Sequence, residues 1–165
     1  KRLMSDIHPT ASISQYTDIE LSKRGTRLLI GANSMIDSFV KIKMAGGGGD
    51  ILIGDNCYIN SGCVIYSGAG ISIGNNVLIA ANCTLAPVNH EFRDRSKLIR
   101  EQGFAKSRGG IVIEDDVWIG ANCVILDGAI IRRGSVVGAS SLVRGLLPAF
   151  SISRGVPAVQ VDSRK

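Results

Sequence analysis

The sequence predicts an all-β chain wound as a solenoid of short parallel strands. Three observations carry that prediction: an aliphatic residue at every sixth position, small residues in fixed places between them, and few aromatics. Stepping by six from Ile113 meets Ile119, Ile125, Ile131, Val137 and Val143 without a break. The same step joins Ile7, Ile13 and Ile19, then Ile30, Ile36 and Ile42, then Ile53, Ile59 and Ile65, then Ile73, Ile79 and Leu85. Self-similarity at a fixed short period marks a stacked-repeat architecture.

The places between the aliphatics fit that reading. The next residue is often glycine (Gly31, Gly54, Gly74, Gly120, Gly138), which suits a corner. The fifth residue of the hexad is mostly small: Ala11, Ser34, Cys57, Cys63, Ala69, Cys83, Cys123, Ala129, Ser135 and Ser141. A large inward aliphatic, a corner and a small inward residue describe one short strand and one turn. Three of these close a triangular coil, and about six coils stack their aliphatics in columns. Each fully buried aliphatic contributes roughly 1.5–3 kcal/mol of gross burial.

The period slips four times, always after the third aliphatic of a triad. The breaks follow Ile19, Ile42 (with Gly46-Gly47-Gly48-Gly49), Ile65 and Leu85. All insertions therefore leave one edge of the prism, as expected of a protein that builds a site there. The largest, at 86–110, is polar, charged and far longer than a plain connection. It contains His90, one of 2 histidines in the chain. A histidine with its ordinary pKa near 6.5 is mostly neutral at cell pH and suits general-base work.

Composition excludes several functions. The net charge of +5 is modest and the basic residues are dispersed, so no nucleic-acid surface is expected. No apolar run approaches the ~18 residues of a membrane span. No secretory signal pattern opens the chain at Lys1, and a cytoplasmic location is the expectation. The 4 cysteines form no CxxC pair and occupy inward places, so packed free thiols are expected, without metal or disulfide.

Asn89-His90-Glu91-Phe92, the segment Val117-Trp118-Ile119-Gly120-Ala121-Asn122 and Gly155-Val156-Pro157-Ala158 together resemble the hexapeptide-repeat acyltransferases. They are most similar to the sugar and polysaccharide O-acetyltransferase branch, which includes galactoside and maltose acetyltransferases. The resemblance covers residues 51 to 161 well and the first fifty only through the repeat. It implies a left-handed parallel β-helix, with residues 1–165 as one domain and 86–110 as the active-site loop. It implies transfer of an acetyl group from acetyl-CoA to a hydroxyl of a sugar or polysaccharide precursor, in a homotrimer with sites between subunits.

By the same resemblance His90 is the general base. Asn60, Glu91 and Trp118 are expected at the substrate. Gly120, Ala121, Ala139, Arg144, Arg154 and Pro157 are expected at the CoA, with the Ala121 N–H polarising the thioester carbonyl. The C-terminal segment 144–165 is basic, and Arg132, Arg133, Arg144, Arg154, Arg164 and Lys165 are candidates for the CoA phosphates. Two departures weaken residue-by-residue transfer there: Arg144-Gly145 stands for the usual Thr–Lys, and Val159 for a basic residue.

Three alternatives compete. A γ-type carbonic anhydrase needs three zinc-binding histidines, and the chain has only His8 and His90. A non-catalytic solenoid leaves the one-edge insertions unexplained. An N-acetyltransferase of an amino-sugar nucleotide or a xenobiotic stays open, because the same histidine serves a hydroxyl or an ammonium.

Overall fold

The computed structural model describes residues 5–44 and 48–165; Gly46 and Gly47 of the glycine run lie outside them. The chain is a left-handed parallel β-helix of triangular section. Its six full coils span 5–20, 28–43, 51–66, 71–86, 111–126 and 130–143, and strands Leu146–Leu147 and Ser151–Gly155 begin a seventh. The strands form three sheets of seven, eight and six members, called here the first, second and third face. All pairs are parallel except the last, where Ser151–Gly155 turns back on Ala158–Ser163 as a hairpin. Among the described residues the sole helical turn is a 3-10 segment at Ile99–Glu101.

The aliphatic columns lie where the period puts them. On the first face Ile30, Ile53, Ile73, Ile113 and Ile131 pair in succession. Every six-step aliphatic from Ile30 to Val143 is buried. Ile7, by contrast, is 38% exposed, and Ile13 and Ile19 are only half-buried. The first coil has a neighbour on one side alone among the described residues. At the other end Leu147 pairs with Ile131 and is buried, extending the column past a break that the period conceals.

Two sequence expectations are corrected. Ala69 is exposed, because the two-residue insertion moves Ile71 into the inward place beside Ile73. The glycines after the aliphatics serve close approach rather than a left-handed backbone. A Cβ on Gly54 would lie 2.5 Å from the Gly74 carbonyl oxygen, and one on Gly120 2.6 Å from the Ala139 nitrogen. The left-handed corners fall instead on Asn33, Asn56, Asn76 and Asp116 between the first and second faces, with φ between 54° and 58°. Short polar side chains tolerate that conformation best.

All four insertions run from the third face to the first, so they share one edge. The four cysteines are buried and unpaired, with Cys63, Cys83 and Cys123 stacked through the middle coils. Burial raises the Cys57 thiol pKa. The Cys123 thiol lowers that of Cys83, but Cys63 and burial outweigh it and carry Cys83 to about 11.

Candidate functional site

The long loop leaves strand Thr84–Ala86 on the third face and returns to Ile111–Ile113 on the first. It is a structured hairpin at its base. The Ala105 amide donates to the Asn89 carbonyl (2.9 Å), that of Glu91 to the Gly103 carbonyl (3.0 Å), and His90 faces Phe104 across an antiparallel bridge. Gln102 closes the outer half: its side-chain oxygen accepts from the Asp94 amide, and its nitrogen donates to the Asp94 carbonyl.

The returning strand is fastened by Asp127, a buried residue at the same prism edge. Its carboxylate accepts from the Ser107 hydroxyl (2.8 Å) and from the amides of Arg108 (2.7 Å) and Gly110 (2.9 Å). Three donors fill most of the capacity of a carboxylate, which explains how an acid is tolerated there.

Between loop and prism lies a cleft of about 560 Å³ lined by His90, Glu91, Arg93, Lys106, Arg108 and Arg144, among others. The His90 ring is exposed to it and packs on Phe104 with centroids 4.9 Å apart. Glu91 does not hold the imidazole. Its carboxylate accepts from the amides of Phe92 and Arg93, which lower its pKa. His90 makes no hydrogen bond through its ring among the described residues, so both nitrogens are available to a substrate.

A second constellation lies along the edge between the second and third faces. The amide two residues past the second-face aliphatic lies at this corner in each coil. In the second and third coils its own neighbour caps it: Ser38 N–H donates to Asp37 (2.6 Å) and Ser61 N–H to Asn60 (2.8 Å). In the fourth, fifth and sixth coils that neighbour is Ala80, Gly120 or Gly138, which carries no acceptor. The N–H groups of Ala81, Ala121 and Ala139 therefore have no partner among the described residues. They form a row of free donors at successive coils, roughly 5 Å apart. The C-terminal hairpin closes the end of this row: Gly138 N–H donates to the Ser153 carbonyl, and Gly155 N–H to the Ser141 hydroxyl. That brings Arg154 and the Val156-Pro157 tip to the same edge.

The residues singled out from sequence thus fall in two groups. His90, Glu91 and Arg144 share the insertion edge; Asn60, Gly120, Ala121, Ala139, Arg154 and Pro157 follow the amide edge. Trp118 stands on the second face, 53% exposed, in a separate cleft with Leu78 and Arg164. The width of the third face separates the two groups within one chain. Among the described residues no three His, Cys, Asp or Glu side chains gather as a metal site.

Family models match two stretches of the chain. Residues 110–145 fit "Bacterial transferase hexapeptide (six repeats)", and residues 50–87 fit "Hexapeptide repeat of succinyl-transferase". A putative lipopolysaccharide biosynthesis O-acetyl transferase, WbbJ of Escherichia coli, is 32% identical over 81% of this chain and 67% of its own length. The chain belongs to the hexapeptide-repeat acyltransferases.

Other members of the family give the same picture. The galactoside O-acetyltransferase of E. coli is 35% identical over 78% of this chain, and a probable acetyltransferase of Mycobacterium tuberculosis, Rv3034c, is 36% identical over 71%. The chain spans 60% and 38% of the lengths of those two relatives. Among solved structures, the hexapeptide-repeat acetyltransferase VCA0836 of Vibrio cholerae complexed with acetyl-CoA covers 99% of this chain and 73% of its own, at TM-score 0.61 and 26% identity. The N-acyltransferase AntD of Bacillus cereus shares the fold, with TM-score 0.82 over 99% of this chain and 86% of its own, at 24% identity.

Within this member of the hexapeptide-repeat family the structure also sorts the basic residues. Arg132 pairs with Glu114, Arg133 stacks on Phe150 at 5.4 Å, and Arg164 bonds Asp116 and the Gly134 carbonyl. Arg144 and Arg154 make no such pair among the described residues and so remain available to an anion. Sequence reasoning missed Asp127 and Phe104. An acid directly before Gly128 at the insertion edge was the available signal for the first. Nothing local announces the second, which meets His90 only through the loop's return.

Proposed function

We propose that this chain transfers an acetyl group from acetyl-CoA to a hydroxyl of a sugar or polysaccharide precursor, as a homotrimer whose sites lie between subunits. The observation that carries this reading is the division of the site. A loop histidine occupies one edge and a row of amides another, with neither the ring nitrogens nor these amides partnered among the described residues. Two copies set side by side join the halves, and three copies around an axis join them three times. The exposed Phe92, Leu98 and Ile99 of the loop supply apolar surface for reaching a neighbour. The names of the galactoside and lipopolysaccharide relatives support a saccharide acceptor, and the acetyl-CoA complex of the Vibrio protein supports the donor.

In this mechanism a ring nitrogen of His90 takes the proton of the acceptor hydroxyl as its oxygen attacks the thioester carbonyl. The carbonyl oxygen gains negative charge, and the Ala121 N–H of the amide row is the donor that stabilises it. The carbon–sulfur bond then breaks, the acetyl group stays on the acceptor oxygen, and the leaving thiolate recovers the proton from the imidazolium. Ala139 N–H, one coil further, holds the pantetheine arm, and Arg144 and Arg154 meet the phosphates. No helix among the described residues is long and apolar enough to cross a membrane, and dependence on acetyl-CoA fits a cytoplasmic site of action.

The test is an acceptor screen that follows thiol release from acetyl-CoA across sugars, nucleotide sugars and amines. Hydroxyl acceptors should accelerate release, with the product bearing an ester that mild base removes. Acetylation of amines alone would replace the O-acetyl reading with the N-acetyl one. No acceptor-dependent release would refute acyl transfer.

A further inference from the structure

The corner position three residues before each third-face aliphatic runs up the amide edge as Tyr16, Phe39, Gly62, Asn82, Asn122 and Ser140. Gly62, Asn82, Asn122 and Ser140 have left-handed φ between 59° and 72°, which glycine and short polar residues accept readily. Phe39 adopts the same conformation, with φ 63°, although a bulky side chain is disfavoured there. Burial does not offset that cost, since Phe39 is 70% exposed and Tyr16 60%. The two rings stack on each other, with centroids 5.8 Å apart and planes 24° from parallel, and leave a continuous apolar surface facing solvent.

Polar groups border this surface on one side. Ser14 and Ser38 share a hydrogen bond of 2.8 Å. Asp37 accepts from the Ser38 amide, the Tyr58 hydroxyl (3.3 Å) and the Ser61 hydroxyl (3.2 Å). Ser14, Asp37 and Tyr58 line a shallow depression of about 110 Å³ on the second face, and the Tyr16 amide donates to its Ser14 hydroxyl (3.3 Å). Lys41, two residues past Phe39 on the adjoining face, is engaged by Asp18 at 2.7 Å. An anionic ligand therefore meets the Asp37 carboxylate, and no free countercharge faces it among the described residues. A ligand with an apolar face and a rim of hydroxyl donors meets both halves of the surface. A pyranose ring has that shape.

We propose that Tyr16 and Phe39, with Asp37 and Ser14, form a saccharide subsite for a neutral sugar unit of the acceptor chain, three coils (roughly 15 Å) below the Ala121 amide where acetyl transfer is placed. Asn60 lies one coil above Asp37 on this edge, and the free amides of Ala81, Ala121 and Ala139 follow above it. The edge thus runs from aromatic platform through polar cluster to the amide row, over roughly 5 Å per coil. The acceptor implied is an oligosaccharide chain rather than a single sugar. Its role in turnover rests on the proposed acetyl transfer, whereas binding of sugar to the platform does not.

Two variants test it. Phe39→Asn installs the residue that this corner carries at Asn82 and Asn122, so the coil should fold at least as well as the parent. Tyr16→Ala removes the other ring. Binding is measured without acetyl-CoA, on an array of immobilised tri- to hexasaccharides of hexoses and N-acetylhexosamines. The unaltered protein should retain at least one neutral member, and each variant should bind it about tenfold or more weakly. With a working acceptor pair, kcat/KM should fall similarly for the oligosaccharide and stay unchanged for the monosaccharide. An array that captures nothing, variants that bind like the parent, or Phe39→Asn dissolving a self-association seen in the parent would each overturn the proposal. The last would assign the rings to contact between copies. Loss of acetyl transfer with array binding intact would refute the enzymatic reading and leave the subsite standing.

Discussion

His90 and Phe104 meet across the single β-bridge at the base of the long loop, rings 4.9 Å apart and tilted by 32°. The imidazole is therefore positioned by a ring face and by backbone pairing, and its nitrogens have no partner among the described residues. Replacing His90 by Ala should lower kcat about 10²–10⁴-fold, the usual contribution of a general base. Affinity for acetyl-CoA should barely change, because the amide row lies on another edge. Steady-state kinetics with a proven acceptor, beside calorimetric titration of CoA, reads both quantities, and near-normal turnover would refute the assigned role.

Asp127 holds the loop's return, so its loss should loosen the loop without unwinding the prism. Asp127→Ala leaves the buried Gly110 amide without its partner, at a cost of about 1–3 kcal/mol. Hydrogen exchange should speed up at residues 107–110 and leave the coil amides protected. Protection unchanged at those residues would show that the carboxylate is not the anchor.

Assembly is tested at Trp118. Leu78 pairs in register with Trp118 on the second face, and both are about half exposed, which makes an outward apolar patch. Light scattering should give three times the chain mass of 17.5 kDa, and Trp118→Asp should shift the population towards smaller species. A monomer at micromolar concentration in the parent would refute the trimer.

Glu114 carries a pH signature. The Arg132 guanidinium and the Arg133 amide lower its pKa in the folded chain. A depressed carboxylate pKa stabilises above the ordinary value and loses that contribution as pH falls through the folded one. The stability difference between the parent and Glu114→Gln should therefore be constant above roughly pH 5 and shrink in more acid solution. Denaturant melts across that range measure it; a difference that grows with acidity would contradict the pairing.

The cysteines should behave as packing residues. Native protein should react slowly with a thiol reagent, and the unfolded, unreduced chain should yield four thiols, the number buried and unpaired in the structure. Rapid native reaction would mean that the coils around Cys63, Cys83 and Cys123 open readily.

Much of this was legible in the residues because a solenoid repeats one local rule. An aliphatic every six positions sets strand, corner and column together, and each break in the count marks an insertion at a known edge. The fold, its one-edge insertions and the candidate His90 follow from that counting and from the resemblance it exposes. Pairings between side chains obey no such period. That Arg132, Arg133 and Arg164 are occupied while Arg144 and Arg154 have no partner among the described residues depends on contacts across coils and with the C-terminal hairpin. Asp127 meets Ser107, and Phe104 meets His90, only once the loop has turned back. The free amides of Ala81, Ala121 and Ala139 are visible only against the capped ones of Ser38 and Ser61. The sequence alone determined the coil, since burial of a repeated aliphatic is a local pattern summed along the chain. Tertiary structure decided the site, since charge pairing, loop anchoring and unpartnered donors depend on which residues the stacking brings together.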